Sequence, residues 1–235
     1  RRVLFRSGGT ISEVKPSPSK YSTQIKVRSL FFNVPARKKF LGFDDREYKS
    51  IYTYFKKVSV SRPDIGFKFV NNEKTVFDLK PQTLQERIGS VFSEVDKDEL
   101  LKAENSLGSY SIKGFLGKAG LARKFKDNQF LFINVRIVES KMASFNIVHM
   151  YLNLIEPGYY PFYILFIDMP PHEIDVNVHP SKLTVKFSDE QKVKRLITEA
   201  VGHSLKDSSS ITALSSQSET KEHLYEPAPL PSMQV

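Results

Sequence analysis

Apolar residues recur along this chain at two periods, and the switches between them predict its elements. Ile25, Val27, Leu30, Phe31 and Phe32, bounded by Pro35, predict a long strand over Thr23–Val34, with Phe31 and Phe32 as core packing. Tyr48, Ile51, Tyr52, Phe55 and Val58 repeat at three- and four-residue spacing. They predict a helix with Asp44 and Glu47 as a capping pair, ended by Arg62-Pro63-Asp64. Gly66–Val70 and Lys74–Leu79 read as a hairpin around Asn71-Asn72. Thr83 and Glu86 form a capping box ahead of the stripe Leu84, Ile88, Val91 and Phe92. Strands follow at Leu100–Glu104, Tyr110–Leu116 and Gln129–Val135. Phe145, Val148, Leu152 and Ile155 mark a helix stopped by Pro157-Gly158. Phe162–Met169 is almost continuously apolar, as in a strand buried on both faces. Ile174–Val178 and Leu183–Phe187 alternate, and Ser188 with Gln191 caps a helix bearing Val193, Leu196, Ile197, Ala200 and Val201. The mixed order of strands and helices predicts an α+β fold rather than a doubly wound sheet.

Pro81 is the expected domain boundary, so residues 81–206 are expected to fold alone. Asp207–Val235 is rich in Ser, Thr and Pro with few large apolar residues, and reads as a disordered linker. Both ends read as cut from something longer. The net charge is +9. It is concentrated before Asp207, where 34 basic residues face 22 acidic ones, a surplus of 12 that suits polyanionic partners. The chain has no cysteine, which excludes thiol catalysis, disulfides and cysteine-based zinc sites. No apolar run is long enough to span a membrane, and with no export signal the expected compartment is the cytoplasm.

Three segments carry candidate chemistry. In Ile174–Phe187, period two places Asp175, Asn177 and His179 on one face, and Pro180 forces a turn with Ser181 and Lys182 at its tip. An ammonium there suits a phosphate oxygen, though spacing alone favours a solvated loop lysine. In Val27–Leu41, Arg37, Lys38 and Lys39 follow a rigid turn and could meet a nucleic-acid backbone or an acidic neighbour, or form a solvated first helical turn. In Gln129–Glu139, Asn134 and Arg136 end an apolar strand, and Arg123, Lys124 and Lys126 form a basic loop before it.

Taken together, these segments resemble the MutL family of DNA mismatch repair proteins. Val27–Leu41 is similar to the family's Val-Arg-Asp-Leu-Phe-Phe-Asn-x-Pro-Ala-Arg-Arg-Lys-Phe-Leu, Phe132–Arg136 to Phe-Val-Asn-Gly-Arg, and Asp175–Lys182 to Asp-Val-Asn-Val-His-Pro-x-Lys. The resemblance implies that residues 1–80 are the end of an ATPase domain of the gyrase, Hsp90, histidine-kinase and MutL type. Residues 81–206 would be a transducer with the fold of the second domain of ribosomal protein S-five. Residues 207–235 would begin a linker to a dimerisation domain. It implies an ATP-driven clamp using ATP with Mg, with Lys182 and Thr23 near the nucleotide and Lys141, Arg136, Arg123 and Lys124 facing DNA. Implied partners are DNA, held non-specifically by its backbone, the mismatch-recognition protein MutS and a second copy of the chain, in a bacterial cytoplasm beside the nucleoid.

The fragment alone is not expected to hydrolyse ATP, since no catalytic base, Asp-x-Gly-x-Gly or Gly-rich phosphate loop is present. Two departures stand out. Val135 occupies the family's Gly position, where positive φ is needed, so the turn is expected to change shape or the site to be degraded. Arg1–Arg6 fits the family poorly and reads as foreign to it. The competing readings are a stand-alone nucleic-acid-binding module without nucleotide linkage, or the transducer of a topoisomerase-type ATPase.

Overall fold

The computed structural model describes residues 2–7, 10–16, 23–175 and 185–218, with side chains over 23–175 and 185–206. The chain divides into two compact units, Arg1–Tyr52 and Thr53–Val235.

In the first unit, β1 (Arg2–Ser7) and β2 (Thr10–Pro16) form an antiparallel hairpin. The strand expected over Thr23–Val34 is not formed. Residues 23–28 are irregular, and two turns follow, Phe32 N donating to Ser29 O (3.0 Å) and Val34 N to Phe31 O (3.1 Å). Ile25, Val27, Leu30 and Phe32 are exposed, so the expected packing of Phe32 is also absent. A strand needs a ladder partner, and among the described residues none flanks this segment. Pro35 then opens α1 (Pro35–Lys38), where its missing N–H costs no hydrogen bond. α2 (Asp44–Ser61) begins in this unit and continues into the second from Thr53 on; it starts with three acids in its first turn, which suits the helix dipole. Only Glu47 of the expected pair reaches back, accepting from Gly42 N at 2.8 Å.

The second unit is built on one sheet. β5 (Leu100–Leu107), β6 (Tyr110–Gly117), β7 (Gln129–Ile133), β8 (Arg136–Val138) and β9 (Tyr163–Asp168) lie in the order β5-β6-β9-β7-β8. Only β7 and β9 run parallel. A parallel pair requires a crossover, and α4 (Lys141–Met150) supplies it. It begins earlier than the apolar spacing predicts because Ser140 caps it, accepting from Ala143 N at 3.2 Å.

Period two sends β7 and β9 side chains to two cores. Leu131, Ile133, Tyr163, Leu165 and Ile167 face α4 and α5 (Glu190–Ser218), whose Val193, Leu196, Ile197, Ala200 and Val201 are all fully buried. Phe130, Phe132 and Ile164 face Val60, Leu79, Ile88, Val91 and Phe92 on the other side. β9 is thus covered on both faces, as its continuous apolar run predicts. Gly114 on β6 is required by close approach: a Cβ there would sit 2.1 Å from Ile164 O. The hairpin of β3 (Phe67–Asn71) and β4 (Lys74–Leu79) turns on Asn72-Glu73, both at positive φ, one residue beyond the predicted turn.

α3 (Leu84–Val91) carries both halves of the predicted capping box. Pro81, the expected boundary, lies inside this unit. Across it, the fully buried guanidinium of Arg87 donates to Ser59 O (2.9 Å), Pro63 O (3.0 Å), Ile65 O (2.9 Å) and Lys80 O (2.7 Å). Each carbonyl left bare would cost about 1–3 kcal/mol.

β10 (Ile174–Asp175) pairs with β11 (Lys186–Phe187). The α5 cap is Asp189, whose Oδ1 accepts from Lys192 N at 2.9 Å, not Ser188, whose N–H donates to Glu173 O (2.9 Å). α5 runs on to Ser218, into the stretch expected to be linker. Extending a formed helix needs only propagation, which Ile211, Ala213 and Leu214 tolerate.

Three buried tyrosines make this unit sensitive to alkali. Tyr110 donates to the Glu173 carboxylate, and burial with that neighbour raises its pKa to about 12. Burial likewise raises Tyr163 to about 12 and pushes Tyr151, which donates to Gly117 O at 2.8 Å, upward. The folded state therefore holds protons that the unfolded chain releases near pH 10. Stability is intact below about pH 10 and is lost as pH rises toward about 12. Urea melts at increasing pH should show the midpoint falling across that window, with the buried phenolates absorbing only as the fold is lost. A midpoint that stays constant across it would contradict the assignment.

Candidate nucleic-acid interface

The expected DNA-facing residues lie at two ends of the sheet. Arg136 opens β8 and is exposed. It lines a groove of about 290 Å³ with Val135 and Ile137 from the same hairpin, Phe132 from β7, and Tyr54, Lys57, Val58 and Ser61 from α2. The floor is aromatic and aliphatic, and the rim carries two cations, an arrangement fit for an anion attached to an apolar or planar body. Tyr54, Lys57 and Ser61 escape sequence reasoning. Their spacing places them on one helix face, but nothing in the sequence says which strands that face meets.

At the other end, Lys141 opens α4 and is exposed. The first turn of α4 is tied to the start of β7, Ser144 Oγ donating to Gln129 Oε1 at 3.3 Å. Arg123 and Lys124 sit in the loop leading into β7. The Arg123 guanidinium donates to Gly120 O and Ala122 O, both at 3.0 Å. Lys124 Nζ lies 5.8 Å from the centre of the Tyr159 ring. The structure therefore brings Lys141 to the end of the sheet where Arg123 and Lys124 lie, while Arg136 is paired instead with Lys57 at the opposite end.

Nearby, Lys56 Nζ lies 4.2 Å above the Phe92 ring. Burial pushes its pKa below the usual lysine value, and Glu94 and Asp127 partly offset this. The Arg37–Lys39 cluster is exposed at α1 in the first unit.

The residues expected near a nucleotide are less complete. Thr23 is exposed on irregular backbone, and Asn177, His179 and Lys182 lie outside the described residues. Asp175 is described, opposite Lys186 in the ladder. Among the described residues no group of three or more histidine or acidic side chains could hold a metal ion. Among them, too, no helix is long and apolar enough to cross a membrane.

Residues 88–206 match the family described as DNA mismatch repair protein, C-terminal domain. The chain is 36% identical over 200 residues to the DNA mismatch repair protein MutL of Chloroherpeton thalassium, covering 85% of this chain and 31% of that protein. It is 37% identical over 183 residues to MutL of Flavobacterium psychrophilum, covering 78% and 30%. The chain thus spans about a third of the length of these curated relatives. Among solved structures, it is similar to the Aquifex aeolicus MutL ATPase domain complexed with ADP, with a TM-score of 0.60 and 20% identity, covering 85% of this chain and 65% of that one. It is also similar to the N-terminal domain of a DNA repair protein, with a TM-score of 0.63 and 22% identity, covering 84% and 66%. At that identity these two likenesses speak for the fold.

The turn that presents Arg136 is strained. Ile133 pairs with Arg136, leaving a two-residue loop of Asn134 and Val135 at φ 48° and 67°. Of the two expected outcomes, a change of shape is not what is observed: a β-branched residue holds the left-handed conformation. Asn134 enforces it, its amide donating to Met169 O (2.9 Å) and accepting from Met169 N (3.0 Å). Left-handed backbone costs a side-chain-bearing residue roughly 1–2 kcal/mol, and glycine's freer unfolded state offsets part of that. Val135→Gly should therefore raise stability by about 1 kcal/mol, or roughly 2–4 °C in melting temperature. A lower melting temperature would show the turn to be unstrained.

Proposed function

Because this chain belongs to the MutL family of DNA mismatch repair proteins, we propose that it works in mismatch repair as part of an ATP-driven clamp that holds DNA by its backbone. Residues 1–80 are the end of the ATPase domain and residues 81–206 the transducer, with 53–80 packed into the same compact unit as the transducer. The observation that supports this best is the coincidence of the family match, residues 88–206, with the five-stranded sheet and its two long helices. In the whole protein the clamp is a dimer that takes ATP with Mg, answers MutS and acts in the bacterial cytoplasm beside the nucleoid.

DNA contact falls to Arg136 and Lys57 at one end of the sheet and to Lys141, Arg123 and Lys124 at the other. Such contacts release counterions from the phosphates, so binding should be largely indifferent to sequence and weaken steeply with salt. Binding isotherms over a salt series test this with Arg136→Glu and Lys141→Glu. Each variant should weaken duplex binding and lower the slope of log affinity against log salt by about one. Affinity that ignores salt, or a strong preferred sequence, would refute the reading.

Toward the nucleotide, Thr23 and Lys182 are the residues this chain contributes. The ammonium of Lys182 is assigned to the terminal phosphate, a charge-assisted bond of about 1.5–3 kcal/mol that ADP cannot make. In the full-length protein Lys182→Ala should therefore lower ATP affinity about ten-fold or more and leave ADP affinity within about two-fold. Calorimetric titration with both nucleotides decides it, and equal losses for the two would refute the assignment.

A further inference from the structure

The loop before β7 alternates cations with an aromatic ring: Arg123, Lys124, Phe125 and Lys126. It is a fixed loop. Arg123 and Tyr160 exchange backbone hydrogen bonds of 3.0 and 2.7 Å. At its far end Gln129 N donates to Lys126 O at 3.3 Å, and Tyr163 N to Asn128 O at 3.1 Å. The bridge to Tyr160 sets two tyrosines under the two lysines, with Lys124 Nζ 5.8 Å from the Tyr159 ring centre and Lys126 Nζ 4.7 Å from that of Tyr160. Phe125 is left 73% exposed between them.

Acids lie nearby as well: Asp127 is within the loop, Tyr159 N donates to Glu156 O, and the Glu99 carboxylate lies beside Gly120, whose carbonyl Arg123 holds. The field of Asp127 also acts on Lys56, outside the loop. Lys141 adds a further cation at this end of the sheet.

We propose that this loop is a stacking site for unpaired bases, in which Phe125 offers its ring face to a base and Arg123, Lys124 and Lys126 hold the flanking phosphates. The proposal rests on the DNA-binding reading and deepens it, naming the loop and the ring that would hold unpaired bases. Charge complementarity selects a polyanion. The exposed ring selects a polyanion with free planar faces, since a stacked base contributes affinity whatever its identity. A duplex offers the same phosphates but keeps its bases stacked on one another. An acidic peptide offers charge without planar partners for the ring.

The test uses the 235-residue chain with labelled oligo-dT and a duplex of equal length. Phe125→Ala should weaken oligo-dT binding roughly ten-fold and leave duplex binding within about two-fold. Its melting temperature should match the parent's, because an exposed ring supports no core. Phe125→Trp should retain oligo-dT binding. Because the chain has no tryptophan of its own, that indole reports alone, and oligo-dT should quench it where the duplex does not. Equal losses for both DNAs in Phe125→Ala, or loss for neither, would overturn the stacking site while leaving the DNA-binding reading in place. A parent chain that binds neither DNA would overturn both. Displacement of oligo-dT by polyglutamate, itself lost in Phe125→Ala, would assign the loop to an acidic peptide instead.

Discussion

One buried guanidinium holds the second unit together on its phenylalanine-rich face. Arg87 gathers carbonyl oxygens from the end of α2, from the turn after it and from the end of β4, while its own backbone belongs to α3. No carboxylate shares a hydrogen bond with it among the described residues, so it is solvated by peptide dipoles instead. Burial lowers its pKa, and Asp64 partly offsets that. Such a charge stays buried only while all its acceptors converge. That convergence holds the last turns of α2, within the second unit, beside β7 and β8, where they line the groove bearing Lys57 and Arg136.

Much of this was legible in the sequence, for identifiable reasons. The capping box at Thr83 and Glu86 is a local code, complete within four residues. The double burial of β9 follows from its continuous apolar run, and the buried stripe of α5 from its helical period. What escaped needed non-local knowledge. Thr23–Val34 has strand composition, but composition cannot supply a neighbour, and the segment turns on itself instead. Ser188 is as good a cap residue as Asp189 until its N–H is seen committed to Glu173. The role of Arg87 was invisible, because its acceptors lie on the far side of a proline that reads as a boundary.

The candidate interface shows the same division. Arg136, Arg123 and Lys124 are legible as basic residues at a strand end and in a loop, Lys141 only through the family resemblance, and all four are exposed. Their grouping was not legible. The parallel pairing of β7 with β9 decides that Lys141 and the loop before β7 share one end of the sheet, while the hairpin tip carries Arg136 to the other. Two sets of cations separated by the length of a strand suit an extended polyanion better than a compact one.

The placement of β9 also sets the order in which this fold can be made. It is the last strand of the sheet to be synthesised and the one that lies at its centre. Until it emerges from the ribosome, the hairpins β5–β6 and β7–β8 can each zip locally, but they have no common neighbour and each presents a bare edge. Closure then waits longer still, for α5: Ser204 Oγ donates to Lys102 O across 102 positions of chain. A nascent chain stalled before Tyr163 would therefore carry two half-sheets with no means of joining, a state that holdase chaperones are suited to shield.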